Sequence, residues 1–486
     1  MILPATPNPT GDRSPRGDGV RATSATKKKL ALVFPRFRYP SGDPPLGVAY
    51  IASYVRKHVP DSDVRVFDAT FKPSFDAMRK DLASFAPGVV GIFMDTISFN
   101  DSMKVAAIAK ETGANVIAGG PHATILPDTV IADPRIDAIG IGEGEATVAE
   151  YLACVYDGGD LRNVDGLWFK RDGGEVVKTK ARDSIMDMDS LPFPAFDLLD
   201  MKKYVTGMPH LDSYSTRVRA TSIIASRACP YGCTYCQPTL KAVFGSKYRT
   251  RSAENVIDEL RWLKKTYGIG GFFMQDDTPT AFHKWVFDFC DALKRSGLGM
   301  IWGCNSRVDT VDRPLLRAMK SAGLVKIKYG IEAYSDRIRN DIYKKNVSIE
   351  KVTQALADAR EEGVQTSGYF MLGAPTETPE EVEKSISFAV ASPLTEATFS
   401  IATPLPHTGL YNMVIEKGWK LPDTFEGYDY YRARRGKMSE NDIPVGTLEK
   451  VKKRAFLRFY LHPKRLDYTL RVVMNVYKTA LKLSRF

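Results

Sequence analysis

From residue 28 onward the sequence alternates between short apolar β-rich runs and longer helical stretches, and it does so twice. In the first series, KKLALVFP, DVRVFDA, VVGIFMD, NVIAGGP and AIGIGEG are separated by LGVAYIASYVRKH, SFDAMRKDLASF and NDSMKVAAIAKET. Strands joined through helices must pair in parallel, because the crossover returns the chain to the same end of the sheet. The fold class is therefore α/β, and residues 28–155 predict a doubly wound, Rossmann-like parallel sheet. The second series begins near Thr221 with TSIIASR and continues through GGFFMQDD, MIWGCNSRVD, VKIKYGIEA, TSGYFMLGAP and ATFSIATPL. Six β/α units in a row predict a partial (β/α)6 barrel over residues 221–415.

The remaining segments follow by contrast. Residues 156–220 read as a connector: GLWFKRDGGEVVKTKAR is a hairpin with Asp-Gly-Gly at its turn, and SLPFPAFDLL is an extended linker. Residues 1–27 are rich in Pro, Gly, Ser and Thr and lack an apolar core, which predicts a disordered leader and not a signal peptide. Residues 416–486 are expected to form a helical cap over the barrel mouth that shapes substrate choice.

The chain carries a net charge of +11, concentrated at its end. Lys450 to Phe486 hold eleven Lys or Arg against one acid, Asp467, a net +10. A nucleic-acid-binding face on the folded body is not expected, because it would need its own basic stripe. Leu466, Leu470, Val473, Tyr477, Ala480 and Leu481 recur at helical spacing, so the tail reads as a basic amphipathic helix. Such a helix docks with a solvated basic face, or touches an anionic substrate or a membrane surface; the sequence leaves these open.

Both architectures bind ligands at the carboxyl ends of their strands. In the first series those ends carry Asp95-Thr96-Ile97-Ser98, Gly119-Gly120-Pro121-His122 and Gly142-Glu143-Gly144-Glu145. Glycine lets a ligand approach the backbone, and hydroxyls bond phosphates or amides, though each stretch alone also describes a tight turn. No G-x-G-x-x-G follows the first strand, so a dinucleotide fingerprint is absent. In the second series the first strand runs into SRACPYGCTYCQPTL, where Cys229, Cys233 and Cys236 form C-x3-C-x2-C. Without an export signal the protein is expected in the cytoplasm with its thiols reduced, so clustered cysteines favour metal over disulfide. Structural zinc wants four ligands, usually in two pairs, and no second pair exists. Three thiolates suit three irons of a [4Fe–4S] cluster whose fourth iron stays open. An incomplete zinc site or chance clustering is the competing account.

C-x3-C-x-aromatic-C after the first strand of a sixfold β/α repeat resembles the radical S-adenosylmethionine (SAM) superfamily over about residues 220–415. The resemblance implies that the open iron chelates the amino and carboxylate groups of SAM, which reduction cleaves to methionine and a 5′-deoxyadenosyl radical. It places Tyr235 beside the last thiol and Gln275, Asp276 and Asp277 of GFFMQDD near the SAM amino group. Arg307 of NSRVD is implied as a bidentate partner for the SAM carboxylate. YGIEAYS resembles G-I-E-S-G-S, making Glu332 a SAM contact, and FMLGAPTET resembles F-M-L-G-L-P-G-E-T, placing Gly373 in a backbone loop near the adenosine. Ala333-Tyr334 stand where the pattern has Ser-Gly, and Thr376 where it has Gly. Ordinary barrel-mouth salt bridging is the other account of the charged residues.

PPLGVAYIASYVRK, PGVVGIFMDT, NVIAGGPHAT and IGIGEGEAT resemble the cobalamin (B12)-binding domain that precedes the barrel in one subfamily, the class B methyltransferase-like enzymes. This implies cobalamin contacts from Thr96, Ser98, Gly119, Gly120, Pro121, His122, Gly142, Glu143 and Gly144, with the dimethylbenzimidazole tail against Gly119-Gly120. The D-x-H-x-x-G motif is absent, as it generally is in that subfamily, so no histidine is expected below cobalt; the Asp68 to Lys72 loop is expected to face that side. The implied activity is methyl transfer from SAM through methylcobalamin to an unactivated carbon, or to phosphorus, of a small-molecule intermediate in natural product biosynthesis. Flavodoxin or ferredoxin is the implied electron donor. The alternatives are a cobalamin-dependent radical cyclase, like the anaerobic magnesium-protoporphyrin ester cyclase, and a cobalamin-binding sensor or scaffold, against which the intact thiol loop argues.

Overall fold

The computed structural model describes residues 27–38, 41–207, 211, 218–429, 436–439, 443–471 and 473–474. The expected leader up to residue 26 and the tail positions Tyr477, Ala480 and Leu481 lie outside the described residues.

The first apolar runs form β1 (Lys28–Phe34), β2 (Ser62–Asp68), β3 (Val89–Phe93), β4 (Asn115–Gly119) and β5 (Ala138–Gly140), paired in parallel in the order β2-β1-β3-β4-β5. Their burial alternates between two cores. Leu30 and Leu32 pack in one core with the helices Leu46–His58 and Glu145–Asp157. Ala31 and Val33 pack in another with Phe75–Phe85 and Phe99–Glu111. Both faces are covered, which is why these strands read as continuous apolar runs.

The hairpin β6 (Leu167–Lys170) and β7 (Val176–Lys178) forms as expected, but it is no free-standing connector. It adds antiparallel to β5 and extends the sheet to seven strands. A three-residue edge strand exposes unpaired backbone, and the hairpin satisfies it.

The second series gives β8 (Ala220–Ile223), then a short antiparallel pair, β9 (Ser226–Arg227) with β10 (Arg249–Thr250), that brackets the thiol loop. The strands β11 (Gly271–Met274), β12 (Ile301–Arg307), β13 (Leu324–Glu332), β14 (Gln365–Leu372) and β15 (Glu396–Ile401) complete a six-stranded parallel sheet in the order β15-β14-β13-β12-β11-β8. The first and last strands do not pair, so this is a half-barrel. Its helices start where the sequence can cap them: Ser252, Asp312, Ser348 and Thr378 each accept a backbone N–H of the first turn. At Thr378 the cap is reciprocal with Glu381, and Pro379 takes the first helical position.

The C-terminal region divides, which corrects the expectation of a single cap over the mouth. The helix Gly409–Glu416 and Met438 pack beside Ala333, Ala374 and the partly buried Tyr235 near the thiol loop. The helix Val445–Tyr460 instead lies along β15, where Tyr460 Oη donates to the Ala397 carbonyl at 3.1 Å. Beyond it, Arg465 donates to the carbonyls of Leu394, Val390 and Ser392, at 2.9, 2.9 and 2.6 Å. The reason is local: the edge of β15 needs cover, and the last carbonyls of the helix Pro379–Ala391 need donors and a positive charge. Among the described residues no helix is long and apolar enough to cross a membrane.

Candidate active site between two cavities

The N-terminal sheet holds a cavity of about 330 Å³ on the face flanked by Leu46–His58 and Glu145–Asp157. Leu32, Val48, Ile117 and Val148 make its inner walls apolar, and glycines keep it open. A Cβ on Gly91 would meet Leu32 Cδ2 at 2.7 Å. Gly120 has φ +101°, and a Cβ there would stand 2.8 Å from the Met94 carbonyl oxygen. A slot between sheet and helices, walled by aliphatic side chains, fits a flat heteroaromatic tail with its polar remainder at the strand ends. Ile224, Ser226, Val243, Phe244 and Gln275 to Asp277 close the cavity from the half-barrel.

Six of the nine residues expected at cobalamin line this cavity: Gly119, Gly120, Pro121, Gly142, Glu143 and Gly144. Thr96, Ser98 and His122 do not. Ser98 donates to Asp95 at 2.7 Å, and Thr96 Oγ1 bonds His122 Nδ1 at 3.1 Å. The His122 ring sits 4.6 Å from both Phe99 and Phe425, and burial pushes its pKa down to about 4, so it is neutral. The Asp68 to Lys72 loop also lies outside the lining: Asp68 accepts from Tyr204 and from the Thr70 N–H, and Lys72 pairs with Asp81.

A second cavity, of about 300 Å³, holds all three clustered thiols, Cys229, Cys233 and Cys236. Ala228, just before the first, has φ +70°, a left-handed conformation that costs a non-glycine residue. The loop is pinned by Thr234, whose N–H donates to Tyr343 O at 3.1 Å and whose hydroxyl donates to Ile342 O at 2.7 Å. Cys290 and Cys304 are buried in the half-barrel core, and Cys154 lies in the N-terminal sheet's helical layer. Among the described residues no group of three or more His, Cys, Asp or Glu converges on one ion. Burial pushes the Cys229 and Cys236 thiols up, so ligation of iron there would have to displace their protons.

Around the thiols the half-barrel supplies charge. Glu332, at φ +69°, accepts from Lys345 Nζ at 2.8 Å and from Tyr235 Oη at 2.9 Å. Arg307 forms a bidentate pair with Asp309 at 2.9 and 2.8 Å, lies 3.8 Å over the Tyr231 ring, and points Nη1 at Cys233 Sγ, 3.4 Å away. Asp277 lines both cavities. Burial pushes its carboxyl up to about 6, and it has no cationic partner among the described residues. An unpaired carboxylate open to both cavities fits an ammonium ligand.

Gln275 and Asp276, expected at SAM, line the first cavity instead. Asp276 accepts the Ala225 N–H at 3.1 Å and the Ser226 hydroxyl, anchoring the root of the thiol loop. Gly373 lines neither cavity; its N–H donates to Glu377 at 2.6 Å. Thr376 adopts φ +64°, which explains why glycine suits that place in the pattern; its hydroxyl accepts from Arg337 at 2.9 Å. Lys345 was not foreseen: it sits in an irregular loop that carries no periodic signal.

One buried network ties the root of the thiol loop to the first cavity. Glu143 accepts from Arg227 at 2.7 Å and from Arg249 at 2.8 Å, while Arg227 also bonds Glu145. Burial pushes Glu143 up, but the two guanidiniums outweigh it and hold the carboxyl below its usual range. Arg227 precedes Cys229 by two residues, so the charge network fixes the thiol loop against the glycine slot.

Two ligand cavities, one lined by thiols and one by glycines, meet across this interface, which defines a two-cofactor enzyme on a half-barrel. Residues 223–389 match the radical SAM superfamily and residues 41–152 match the B12 binding domain. An uncharacterized methyltransferase of Pyrococcus horikoshii, PH0819, is 34% identical over 87% of this chain and 88% of its own. The anaerobic magnesium-protoporphyrin IX monomethyl ester cyclase of Rubrivivax gelatinosus is 29% identical over 87% of this chain and 75% of its own. The methyltransferase TsrM of Kitasatospora setae, solved with cobalamin and a [4Fe–4S] cluster bound, shares the fold with a TM-score of 0.65 at 18% identity, over 80% of this chain and 75% of its own. The chain belongs to the B12-binding radical SAM family, whose cofactors are a [4Fe–4S] cluster, SAM and cobalamin.

Proposed function

We propose that this enzyme is a cobalamin-dependent methyltransferase that moves a methyl group from SAM to an unactivated carbon of a small biosynthetic molecule. The observation that carries the reading is the shared wall: Asp277 belongs to both cavities, so a substrate atom at that seam faces both cofactors. When bound, the cluster supplies reductive SAM cleavage and cobalamin supplies methyl transfer. The chain's own residues position and shield. Cys229, Cys233 and Cys236 hold the irons; Asp277 receives the SAM amino group; Arg307 and Lys345 offer donors to its carboxylate. Tyr235 and Lys345 keep Glu332 in place. The apolar slot and the buried charge network exclude water from the seam. Flavodoxin or ferredoxin provides the electron.

A cyclase is the second reading, favoured by the Rubrivivax relative. Anaerobic incubation with methyl-labelled SAM and a pool of candidate substrates separates the two: label retained in the product means methylation, and an oxidised, unlabelled product means cyclisation. Label attached to phosphorus would assign the other acceptor.

Two variants follow. Gly140 lines the slot, and a Cβ there would meet only Thr147 Cγ2, at 3.7 Å. Gly140→Phe is expected to fill the slot and abolish cobalamin uptake, read by absorbance after reconstitution, with cluster absorbance retained. Asp277→Asn is expected to weaken SAM binding, read by equilibrium dialysis of labelled SAM after reconstitution, and to leave the melting temperature of the ligand-free protein unchanged, because the side chain is solvent-exposed.

A further inference from the structure

Thirteen large apolar side chains are exposed among the described residues, and seven of them fall between Phe456 and Met474. Residues 466–471 and 473–474 are helical, and Leu466, Leu470, Val473 and Met474 follow the i, i+4, i+7, i+8 spacing of one face. That face points outward: Leu470 is 57% and Val473 58% exposed. The opposite side holds the anchors. Tyr468 bonds Glu396, and Arg465 is buried on the carbonyls of Val390, Ser392 and Leu394. The anchoring is therefore inverted for an ordinary amphipathic helix, with polar groups gripping the body and the apolar stripe turned to solvent. In the sequence the stripe continues at Tyr477 and Leu481.

We propose that this C-terminal segment docks on an anionic lipid bilayer, lying in the interface plane with the Leu466–Met474 stripe in the acyl boundary. Charge selects the occupant. Of the eleven Lys or Arg from Lys450 onward, Arg465 is buried and Arg454 and Arg458 pair with Glu383; the other eight, against the single acid Asp467, attract anionic headgroups and oppose pairing of two copies through the same tail. Position excludes a redox partner: Glu396 begins β15, so the stripe lies at the end of the half-barrel opposite the thiol loop, about 20 Å away along the strands.

The test is co-sedimentation of the full chain with vesicles of phosphatidylglycerol and phosphatidylcholine in equal parts, and with phosphatidylcholine alone. Binding is expected to the anionic vesicles, weakened by salt, and at least about tenfold weaker to the neutral ones. The double variant Leu470→Glu, Val473→Glu changes only exposed positions; it should keep its cluster absorbance and lose at least about tenfold in vesicle binding. Lys464→Glu with Arg471→Glu should lose anionic selectivity. Failure of the full chain to bind anionic vesicles overturns the proposal, as does equal binding by the Leu470, Val473 variant. Sedimentation showing a dimer that the same variant dissolves would assign the face to a second copy. Binding that appears only after removal of residues 475–486 would assign it to the chain's own tail.

Discussion

Alanine at Cys229, Cys233 or Cys236 is expected to abolish the broad visible absorption of the reconstituted cluster and all SAM cleavage. The effect is complete and not graded, because a cubane that loses one of three protein ligands exposes a second iron. All three thiols face one cavity, while Cys290 and Cys304 lie in the half-barrel core and Cys154 in the N-terminal helical layer, so no fourth cysteine lines the cavity to substitute. The other cysteines are internal controls. Cys290 packs in the barrel core among Phe289 and Leu293, and burial pushes its thiol up to about 12. Cys290→Ala should therefore cost some packing and keep the cluster. Circular dichroism of each variant separates a lost cluster from a lost fold.

Glu143→Ala is expected to destabilise the protein by about 3–5 kcal/mol at neutral pH, the cost of leaving buried cations without their partner. Among the described residues Glu143 is the one acid shared by Arg227 and Arg249; without it Arg227 retains Glu145 and Arg249 retains backbone carbonyls alone, those of Lys247, Ile185 and Phe244. The pH dependence has a definite sign. Glu143 titrates lower in the folded state than unfolded, so its contribution is full above the ordinary value of 4.5 and fades as pH falls through the folded value. The gap between variant and parent should close in acid. Arg79→Ala removes an exposed pair with Glu111 and should leave stability unchanged. Denaturant titration reads both. Because Arg227 roots the thiol loop, Glu143→Ala should also reduce coupled turnover beyond its effect on either cofactor's binding.

What was legible in the sequence was local. Burial of β1–β5 on both faces and the six barrel strands follow from apolar runs and their spacing, and the thiol loop from three cysteines in eight positions. Glu332 and Arg307, singled out by the resemblance of short motifs at strand ends, line the thiol cavity. What escaped depends on contacts between distant segments. The hairpin was visible, yet its pairing with β5 was not. Glu143 and Arg227 are 84 positions apart, and nothing local joins them. Thr96, Ser98 and His122 lie at the expected sheet edge, but a strand end does not reveal which way its side chains turn; Asp95 captures Ser98, Phe425 packs on His122, and His122 bonds Thr96. The inverted anchoring of the tail was hidden because Arg465 and Tyr468 outcompete the apolar stripe for the body.

The central claim is that one chain couples a SAM-cleaving cluster to cobalamin. The most direct measurement is anaerobic reconstitution with iron, sulfide and cobalamin, followed by reduction in the presence of methyl-labelled SAM. The expected result is release of 5′-deoxyadenosine together with labelled methyl recovered on the cobalamin, both lost in Cys233→Ala. Cobalamin retained with neither product formed would contradict the enzyme and leave a cobalamin-binding protein.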